Sequence, residues 1–344
     1  MPETHGVESR LTARWYGAAP PAWLLPLSWL YGLVLAIRRR LYAAGVLRVV
    51  RLPVPVVVVG NLTVGGTGKT PLTAWLVERL QQAGLRPGIA SRGYGGSATA
   101  VTRVELDDDP ARVGDEPLLL RRLTGAPVCV AAARAAAARA LVEAGCDVVV
   151  CDDGLQHLAL GRDVELAVID GRRGLGNGAL LPAGPLRDPA SRLAAVTAAV
   201  INGGEGDLPG IDAAPCVLRM TLRVGDLQSL SGEAPRPLDW LRDREVHAVT
   251  GIGNPQRFFA QLREHGARVR EHVFPDHHAF TAADVRFDDA LPVLMTAKDA
   301  VKCAAFADAR HFVVPVAASL PPDQEQWLLA RILALPRPPR RSSS

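Results

Sequence analysis

The sequence of 344 residues is poor in cysteine and in aromatic residues, and it has almost no excess of one charge. Five cysteines without a CxxC pair argue against a disulfide framework or a zinc cluster and indicate free thiols in a reducing compartment: Cys129, Cys146, Cys151, Cys216 and Cys303. A net charge of +4 beside 48% hydrophobic residues excludes a disordered chain. The isoelectric point near 9.0 fits a nucleic acid, an anionic membrane surface or a phosphorylated substrate, and it does not choose among them.

The sequence also lacks an uninterrupted apolar run of about 20 residues, the length that crosses a membrane. Residues 17–37 carry no charge, but prolines interrupt the first half and leave only Leu27–Ile37 as a clean helical stretch. Three arginines follow at once: Arg38, Arg39 and Arg40. Apolar and aromatic residues beside such a cluster predict a helix lying in the membrane interface. A buried hairpin packed on the core is the alternative, and a signal peptide fits poorly because the arginines follow the apolar run.

A glycine-rich loop follows residues 54–59, a β-branched run that is typical of a buried parallel strand. Residues 60–71 read GNLTVGGTGKTP, and the helical pattern that follows ends at Gly84. A strand, a glycine loop, GKT and a helix are the context of a P-loop, although Thr63 stands where the strict pattern has glycine. The pattern predicts a nucleotide site formed by Gly65, Gly66, Thr67, Gly68, Lys69, Thr70 and Pro71. Lys69 would reach the β- and γ-phosphates, and the Thr70 hydroxyl would coordinate Mg²⁺.

Two acidic residues follow a second apolar strand, residues 147–151, at Asp152 and Asp153. P-loop proteins place a second Mg²⁺ contact at such a strand end, so one or both carboxylates are candidate metal ligands. A third strand, residues 165–169, ends in Asp170 and fits the same sheet. Because ligands bind at the carboxyl ends of parallel strands, we expect these loops to open on one crevice.

Several other polar segments have ordinary structural explanations when they are taken alone. SRGYGG at 91–96 suits a loop closing over an anionic ligand, or a simple surface turn. Asp115 is at the start of a leucine-rich helix, where the helix dipole stabilises an acidic residue. Residues 174–188 read as a long ordered loop with Arg187 as a candidate phosphate contact. The adjacent histidines of FPDHH, at 274–278, are as consistent with a structural role as with a catalytic one.

Taken in order, these segments resemble one family, the tetraacyldisaccharide 4′-kinases, which are the lipid A 4′-kinases of Gram-negative bacteria. The resemblance runs from about residue 20 to about residue 335. GGTGKT is shared with many ATPases, whereas DDGLQH combined with SRGYGG and FPDHH is specific. Asp188 replaces the glutamate that usually follows the arginine of the GPLR motif. The matching stretches are GNLTVGGTGKTP (60–71), SRGYGG (91–96), GDEP (114–117), DDGLQH (152–157), LPAGPLRD (181–188), FPDHH (274–278) and TAKDAVK (296–302).

The resemblance implies transfer of the ATP γ-phosphoryl group, with Mg²⁺, to the 4′-hydroxyl of an acylated glucosamine disaccharide 1-phosphate. It implies an α/β fold, with a P-loop core of mostly parallel sheet flanked by helices, a smaller C-terminal α/β domain and an N-terminal membrane-interface helix. The helix would lie at the cytoplasmic face of the inner membrane, and we expect no nucleic acid and no obligate protein partner. The expected units are residues 1–50, 51–215 and 216–335, followed by a disordered tail at 336–344.

The resemblance also assigns roles to single residues. Asp115 would be the base that takes the hydroxyl proton, supported by His277, with His278 as the alternative. Lys69 and a Mg²⁺ ion held by Thr70 and the Asp152/Asp153 pair would offset charge on the transferring group. The residues expected to contact the disaccharide and its phosphate are Arg92, Arg134, Gln156 and Arg187.

A different class of protein remains as the alternative, a P-loop assembly or switch ATPase that hydrolyses ATP at the membrane to drive partner binding. Such dimeric ATPases often have lysine immediately before GGxGKT, where this chain has Val64. A membrane-associated scaffold without enzymatic activity would leave the P-loop and the Asp pair unexplained.

Overall fold

The computed structural model describes residues 14–17, 19–204, 206 and 208–337. Most of the predicted tail, from residue 338 onward, and the start of the predicted N-terminal segment, residues 1–13, therefore lie outside the described residues. The five cysteines are unpaired thiols, as predicted, and all except Cys216 are buried.

The strands follow from short β-branched and apolar runs that end at polar or glycine positions. In chain order they are β1 (Val56–Gly60), β2 (Pro87–Ser91), β3 (Thr102–Val104), β4 (Val128–Val130), β5 (Val148–Asp152), β6 (Val164–Asp170), β7 (Ala198–Asn202), β8 (Val217–Val224), β9 (Gln228–Ser229), β10 (Glu245–Thr250), β11 (Arg268–Val273), β12 (Val293–Thr296), β13 (His311–Val314) and β14 (Val316–Ser319).

The helices alternate with these strands, as in other α/β proteins. In chain order they are α1 (Leu25–Ala43), α2 (Lys69–Gln82), α3 (Pro110–Val113), α4 (Asp115–Thr124), α5 (Arg134–Glu143), α6 (Pro255–Glu264), α7 (Ala282–Val285), α8 (Ala297–Cys303) and α9 (Pro322–Leu333).

The larger sheet, which we call the core sheet, has the strand order β14-β8-β7-β6-β1-β5-β2-β4-β3 in the described residues. Its neighbours are parallel except at the two edges, where β3 pairs antiparallel with β4 and β14 with β8. Every residue of β1, β5 and β6 is buried, because helices cover both faces of a parallel sheet. Leucines of α2, α4 and α9 pack on one face, and the alanine-rich α5 packs on the other. The predicted α/β class with a mostly parallel sheet is confirmed.

The second sheet, which we call the small sheet, has the order β11-β10-β12-β13-β9 in the described residues. Four of its strands are parallel, and β9 pairs antiparallel with β13. The chain then returns to the core sheet through β14, which pairs with β8. Both strands fall within the C-terminal unit predicted at residues 216–335. The division between the sheets therefore differs from the predicted boundary after residue 215, because strand pairing between distant segments leaves no local signal.

Helix α1 is longer than the predicted stretch Leu27–Ile37. Pro26 lies in its first turn, where the missing N–H group costs no hydrogen bond, and the helix continues through the three arginines. One side is docked on the core, since Ser28 Oγ donates to the carbonyl of Leu180 at 2.9 Å. Large apolar side chains on α1 are exposed: Leu27, Trp29, Leu30, Leu33, Val34 and Ile37. No helix among the described residues is both long and apolar enough to span a bilayer.

Candidate active site

The loops that follow β1, β5, β6 and β7 converge at the carboxyl edge of the core sheet. The loop after β1 is the P-loop, the loop after β5 begins with Asp153, and the loop after β6 follows Asp170. Asn202 is the last residue of β7. The strands are adjacent and parallel, so their ends point the same way and the polar residues that follow them form one cleft edge.

The P-loop contains glycines with left-handed backbone conformations, and the side-chain amide of Asn202 is hydrogen-bonded to its backbone. Gly65 has φ of 102° and Gly68, the N-cap of α2, has φ of 96°. A side chain at Gly68 would collide with Asn202, whose Nδ2 donates to the carbonyl of Thr67 at 2.9 Å. The buried Thr67 Oγ1 has no hydrogen-bond partner in the described part of the chain. Sequence reasoning missed Asn202, although its place at the end of an apolar strand was a signal.

Lys69 faces a carboxylate that an arginine also holds. Its Nζ lies 3.6 Å from Asp153 Oδ1, and the Arg187 guanidinium donates to both oxygens of Asp153 at 3.1 and 3.2 Å. Burial opposes ionisation of Asp153, but the charges of Lys69 and Arg187 outweigh it and lower the pKa of Asp153 to about 2. The bidentate pair gives the arginine a fixed orientation at the cleft.

Asp152 has a different environment from its neighbour. It is 1% exposed, and the Thr73 hydroxyl donates to its Oδ1 at 3.1 Å. Burial, followed by the nearby carboxylates of Glu116 and Asp153, raises the pKa of Asp152 to about 7. A cation relieves the repulsion between a buried carboxylate and neighbouring carboxylates, so Asp152 suits a metal ion chemically.

The donor set fits a magnesium ion that the nucleotide helps to hold. The described residues contain no group of three or more His, Cys, Asp or Glu side chains arranged for a metal. Mg²⁺ bound with ATP needs no such cage, because substrate phosphates and water complete its coordination around one or two protein oxygens. The hydroxyl of Thr70 and the carboxylate of Asp152 are oxygen donors of the kind it prefers.

A hydrogen-bond network connects Arg187 to α1. Arg187 also bonds Gln156 Oε1 and, at 3.2 Å, Asn61 Oδ1. The Gln156 Nε2 donates to Asp188 Oδ2 at 2.9 Å, and Asp188 Oδ1 accepts from Arg39 of α1 at 2.8 Å. The aspartate that departs from the family pattern therefore still anchors this network.

The remaining predicted substrate residues surround the DDGLQH segment with positive charge. Arg134, 9% exposed, donates to the backbone carbonyl of Asp153 at 2.7 Å, whereas Arg92 is exposed. Burial, together with the charges of Arg134, Arg162, Arg38 and Arg92, lowers the pKa of His157 to about 4. His157 is therefore neutral at pH 7, and the arginines create a positive field beside it.

A histidine in the loop after β11 of the small sheet contacts a carboxylate at the start of α4. Asp115 begins α4 directly after Gly114, whose φ of 92° strongly favours glycine. Its Oδ2 lies 3.1 Å from Nδ1 of His277, 162 positions away in sequence. His278 instead bonds Asp284 at 3.3 Å, so His277 is the histidine that contacts Asp115.

Two lysines of α8 border this pair. Lys298 Nζ donates to Glu116 Oε1 and to Asp276 Oδ1, each at 3.0 Å, and Lys302 Nζ lies 3.7 Å from Asp115 Oδ2. Burial raises the pKa of Asp115, but His277 and then the two lysines outweigh it and hold that pKa below its ordinary value. Asp115 is therefore ionised at neutral pH and available to accept a proton.

The structure thus brings together most of the predicted site residues and leaves one apart. Asp115 with His277, and Lys69 with Asp153, Arg187, Gln156 and Arg134, are connected by direct contacts or through one intermediate side chain. The Arg92 side chain is exposed and makes no hydrogen bond or ion pair with the described residues. Gly95 of SRGYGG lies against the Asp115–His277 pair, since a Cβ there would be 3.7 Å from Asp115 Oδ1 and 3.8 Å from His277 Nδ1.

A P-loop lysine facing a carboxylate, with an ionised Asp115 in contact with a histidine nearby, is typical of a phosphotransferase of the P-loop class. The family model described as LpxK, tetraacyldisaccharide-1-P 4′-kinase, matches residues 21–333. The chain therefore belongs to the tetraacyldisaccharide 4′-kinase family. This confirms the family and the kinase class predicted from the sequence over the alternative of an assembly ATPase.

Relatives and a solved structure agree with this assignment. A tetraacyldisaccharide 4′-kinase of Xanthomonas euvesicatoria pv. vesicatoria is 51% identical over 322 residues, covering 91% of this chain and 93% of the relative. Another, from Azoarcus sp. strain BH72, is 52% identical over 340 residues, covering 96% and 98%. The crystal structure of LpxK from Aquifex aeolicus in complex with ATP matches with a TM-score of 0.75 and 31% identity, over 90% of this chain and 98% of that one.

Proposed function

We propose that this protein transfers the γ-phosphoryl group of ATP, with Mg²⁺, to the 4′-hydroxyl of tetraacyldisaccharide 1-phosphate in lipid A biosynthesis. The observation that carries the proposal is the contact of 3.1 Å between Asp115 and His277, in a cleft that also contains the P-loop. An acceptor kinase needs such a base beside the phosphate, whereas an ATPase needs only to orient water.

Asp115 acts as the base in this proposal. As the bond forms between the 4′-oxygen and the γ-phosphorus, the hydroxyl proton passes to the Asp115 carboxylate, and ADP leaves with the electrons of the broken P–O bond. His277 orients the carboxylate through Nδ1, and the Tyr94 ring packs against His277 with centroids 5.0 Å apart. Proton transfer of this kind contributes about 10²–10⁴-fold to rate.

Lys69 and the backbone N–H groups of the P-loop hold the ATP phosphates. We assign Mg²⁺ to Thr70 and Asp152, where the bound ion would neutralise charge on the β- and γ-phosphates. Asp153 is a poorer ligand than its neighbour, because Arg187 and Lys69 already occupy its oxygens. Its function is to orient these two cations at the cleft.

The lipid substrate binds where Arg187, Gln156 and Arg134 line the network that extends to α1. Their donors suit sugar hydroxyls and a phosphate, and arginine binds phosphate bidentately. Arg92 extends the positive field at the surface. Because this group lies between the P-loop and α1, a lipid held there would keep its acyl chains beside the exposed apolar side chains of α1.

We further propose that α1 places the enzyme on the cytoplasmic face of the inner membrane as a peripheral or monotopic protein. Its exposed residues include Trp29, 69% exposed, and Leu33, 56% exposed, and such apolar area on a docked helix matches a lipid interface. Arg38 and Arg40 suit anionic headgroups.

The test uses the full-length protein in detergent with labelled ATP, Mg²⁺ and the disaccharide 1-phosphate lipid. We expect label in the lipid, and Asp115→Asn should lower transfer by at least about 100-fold while ATP binding persists. Asp107→Asn, an exposed carboxylate, is the matched control and should have no effect. Label that reaches only inorganic phosphate would contradict the kinase, and near-normal transfer by Asp115→Asn would remove Asp115 as the base.

A further inference from the structure

Arg173 is a charged residue at the P-loop that none of the assignments above uses. It lies in the loop after β6, the strand next to β1. Asp170 Oδ1 accepts from the backbone N–H groups of Arg172 and Arg173 at 2.9 and 3.1 Å, and the Asp170 carbonyl accepts from Gly174 N at 2.8 Å. This compact turn fixes where the Arg173 side chain leaves the sheet edge.

The side chain extends from this turn to the glycines of the P-loop. A Cβ built on Gly65 would lie 3.8 Å from Arg173 Nη1, so the guanidinium borders the loop where it has no side chains. The guanidinium also lies over the Tyr16 ring, 4.9 Å from its centroid, and the Tyr16 hydroxyl donates to the carbonyl of Val64 at 3.3 Å. Tyr16 therefore holds both the arginine and the P-loop backbone.

Among the described residues, no carboxylate forms an ion pair with the Arg173 guanidinium. In the part of the chain that the structure describes, no acidic group lies within 4.0 Å of it, and its side-chain contact is with Tyr16. An arginine beside a phosphate-binding loop that is not neutralised by a carboxylate leaves its positive charge to act on an anion in the cleft.

The loop after β10 of the small sheet lies against the same glycines of the P-loop that Arg173 borders. A Cβ at Gly253 would lie 3.4 Å from Gly66 N, 3.6 Å from Gly65 Cα and 3.8 Å from Asp276 Oδ2. Asp276 directly precedes His277, the partner of Asp115. The Gly65–Gly66 part of the P-loop therefore lies beside the segment that carries His277, and we expect the phosphoryl group that reacts with the acceptor on this side.

We infer that Arg173 is a further catalytic residue, an arginine supplied by the chain itself that binds the γ-phosphoryl oxygens and offsets their charge during transfer. Arg173 stays protonated throughout and only donates hydrogen bonds, while the acceptor proton passes to Asp115. This role rests on the kinase reaction proposed above. Arginines that act in this way in other P-loop enzymes contribute about 10³–10⁵-fold.

Arg172 is the matched control, because it is adjacent, exposed and anchored by the same Asp170 oxygen. With full-length protein, Arg173→Ala should lower kcat by about 10²–10³-fold, the effect of losing one donor to transition-state charge. The Kd for ATP should change by less than about threefold, Arg173→Lys should recover part of the rate, and Arg172→Ala should stay within about twofold of wild type.

Binding of ADP with aluminium fluoride, which imitates the group in transfer, provides a readout without turnover. Arg173→Ala should weaken this complex at least tenfold more than it weakens ADP alone. If Arg173→Ala weakens the aluminium fluoride complex and the ADP complex equally, or if it lowers the Tm and abolishes ATP binding, the residue has a structural role and the inference is overturned. Wild-type protein that does not phosphorylate the lipid would refute the kinase proposal, whereas full activity of both wild type and Arg173→Ala would refute only the role of Arg173.

Discussion

Lys298 connects the loop that carries His277 to helix α4, and removing its charge should impair phosphoryl transfer. The substitution Lys298→Met keeps most of the side-chain volume and removes the ammonium group. That group donates at 3.0 Å to Glu116 of α4 and at 3.0 Å to Asp276, and it lies 3.4 Å from Nε2 of His277. Without it, two carboxylates beside the Asp115–His277 pair lose their cation.

The expected magnitude follows from the exposure of these partners. A hydrogen bond to a charged group contributes about 1.5–3 kcal/mol when it is shielded from water, and an exposed ion pair contributes about 0.2–1 kcal/mol. The side chains of Glu116 and Asp276 are 30% and 44% exposed, so the two contacts together are worth about 2 kcal/mol. If that energy holds His277 on Asp115, kcat/KM for the lipid should fall by about 30-fold.

The assay is steady-state phosphorylation of the lipid at pH 8, where Asp152 is ionised. The Kd for ATP should be unchanged, because the polar partners of Lys298 among the described residues are Glu116, Asp276 and His277, and none of them belongs to the P-loop. Glu116→Gln serves as the second arm of a double-mutant cycle, and the double variant should lose little more than Lys298→Met alone. Strictly additive losses, or a Lys298→Met enzyme within twofold of wild type, would refute this explanation.

Two further predictions concern the metal and the membrane. Burial, with Glu116 and Asp153, raises the pKa of Asp152 to about 7, so protonation should compete with Mg²⁺ below pH 7. Between pH 7 and pH 5 the apparent Kd for Mg²⁺ with saturating ATP should rise more steeply for wild type than for Asp152→Asn, whose remaining pH dependence comes from the ATP phosphates; an equal pH dependence in both proteins would contradict this prediction. Leu33→Glu on α1 should lower the amount of protein that sediments with the membrane fraction severalfold. Leu123→Glu on α4, where the leucine is similarly exposed, should leave that amount unchanged, and equal sedimentation of both variants would argue against the interface helix.

The sequence alone predicted the nucleotide half of the site. The apolar strand, the glycines and GKT of residues 60–71 are contiguous, and their spacing suffices to place Lys69 and Thr70 at a helix start. Residues 148–152 were likewise recognisable, because a buried strand that ends in carboxylates is a local pattern. The family motifs pointed to Asp115 and His277, which composition and spacing by themselves left as ordinary helix-start and loop residues.

The α1 segment shows a mixed outcome. Its composition predicted an interfacial helix, and the exposed apolar side chains fit that prediction. Its docking was not foreseeable, because Ser28 and Arg39 bond Leu180 and Asp188, about 150 positions later in the chain. The return of β14 to the core sheet was missed for the same reason.

The sequence by itself determined the P-loop, the strand ends that carry carboxylates and the apolar helix followed by arginines, because each is specified by residues close together in the chain. Only the tertiary structure decided that His277 rather than His278 contacts Asp115, and that Asp153 contacts Lys69 and Arg187 while Asp152 accepts from Thr73. It also decided that Asn202 and Arg173 border the P-loop. These contacts depend on the order of strands in the core sheet and on the position of the small sheet. Strand order is set by burial and pairing summed over the whole chain, so no single segment contains it.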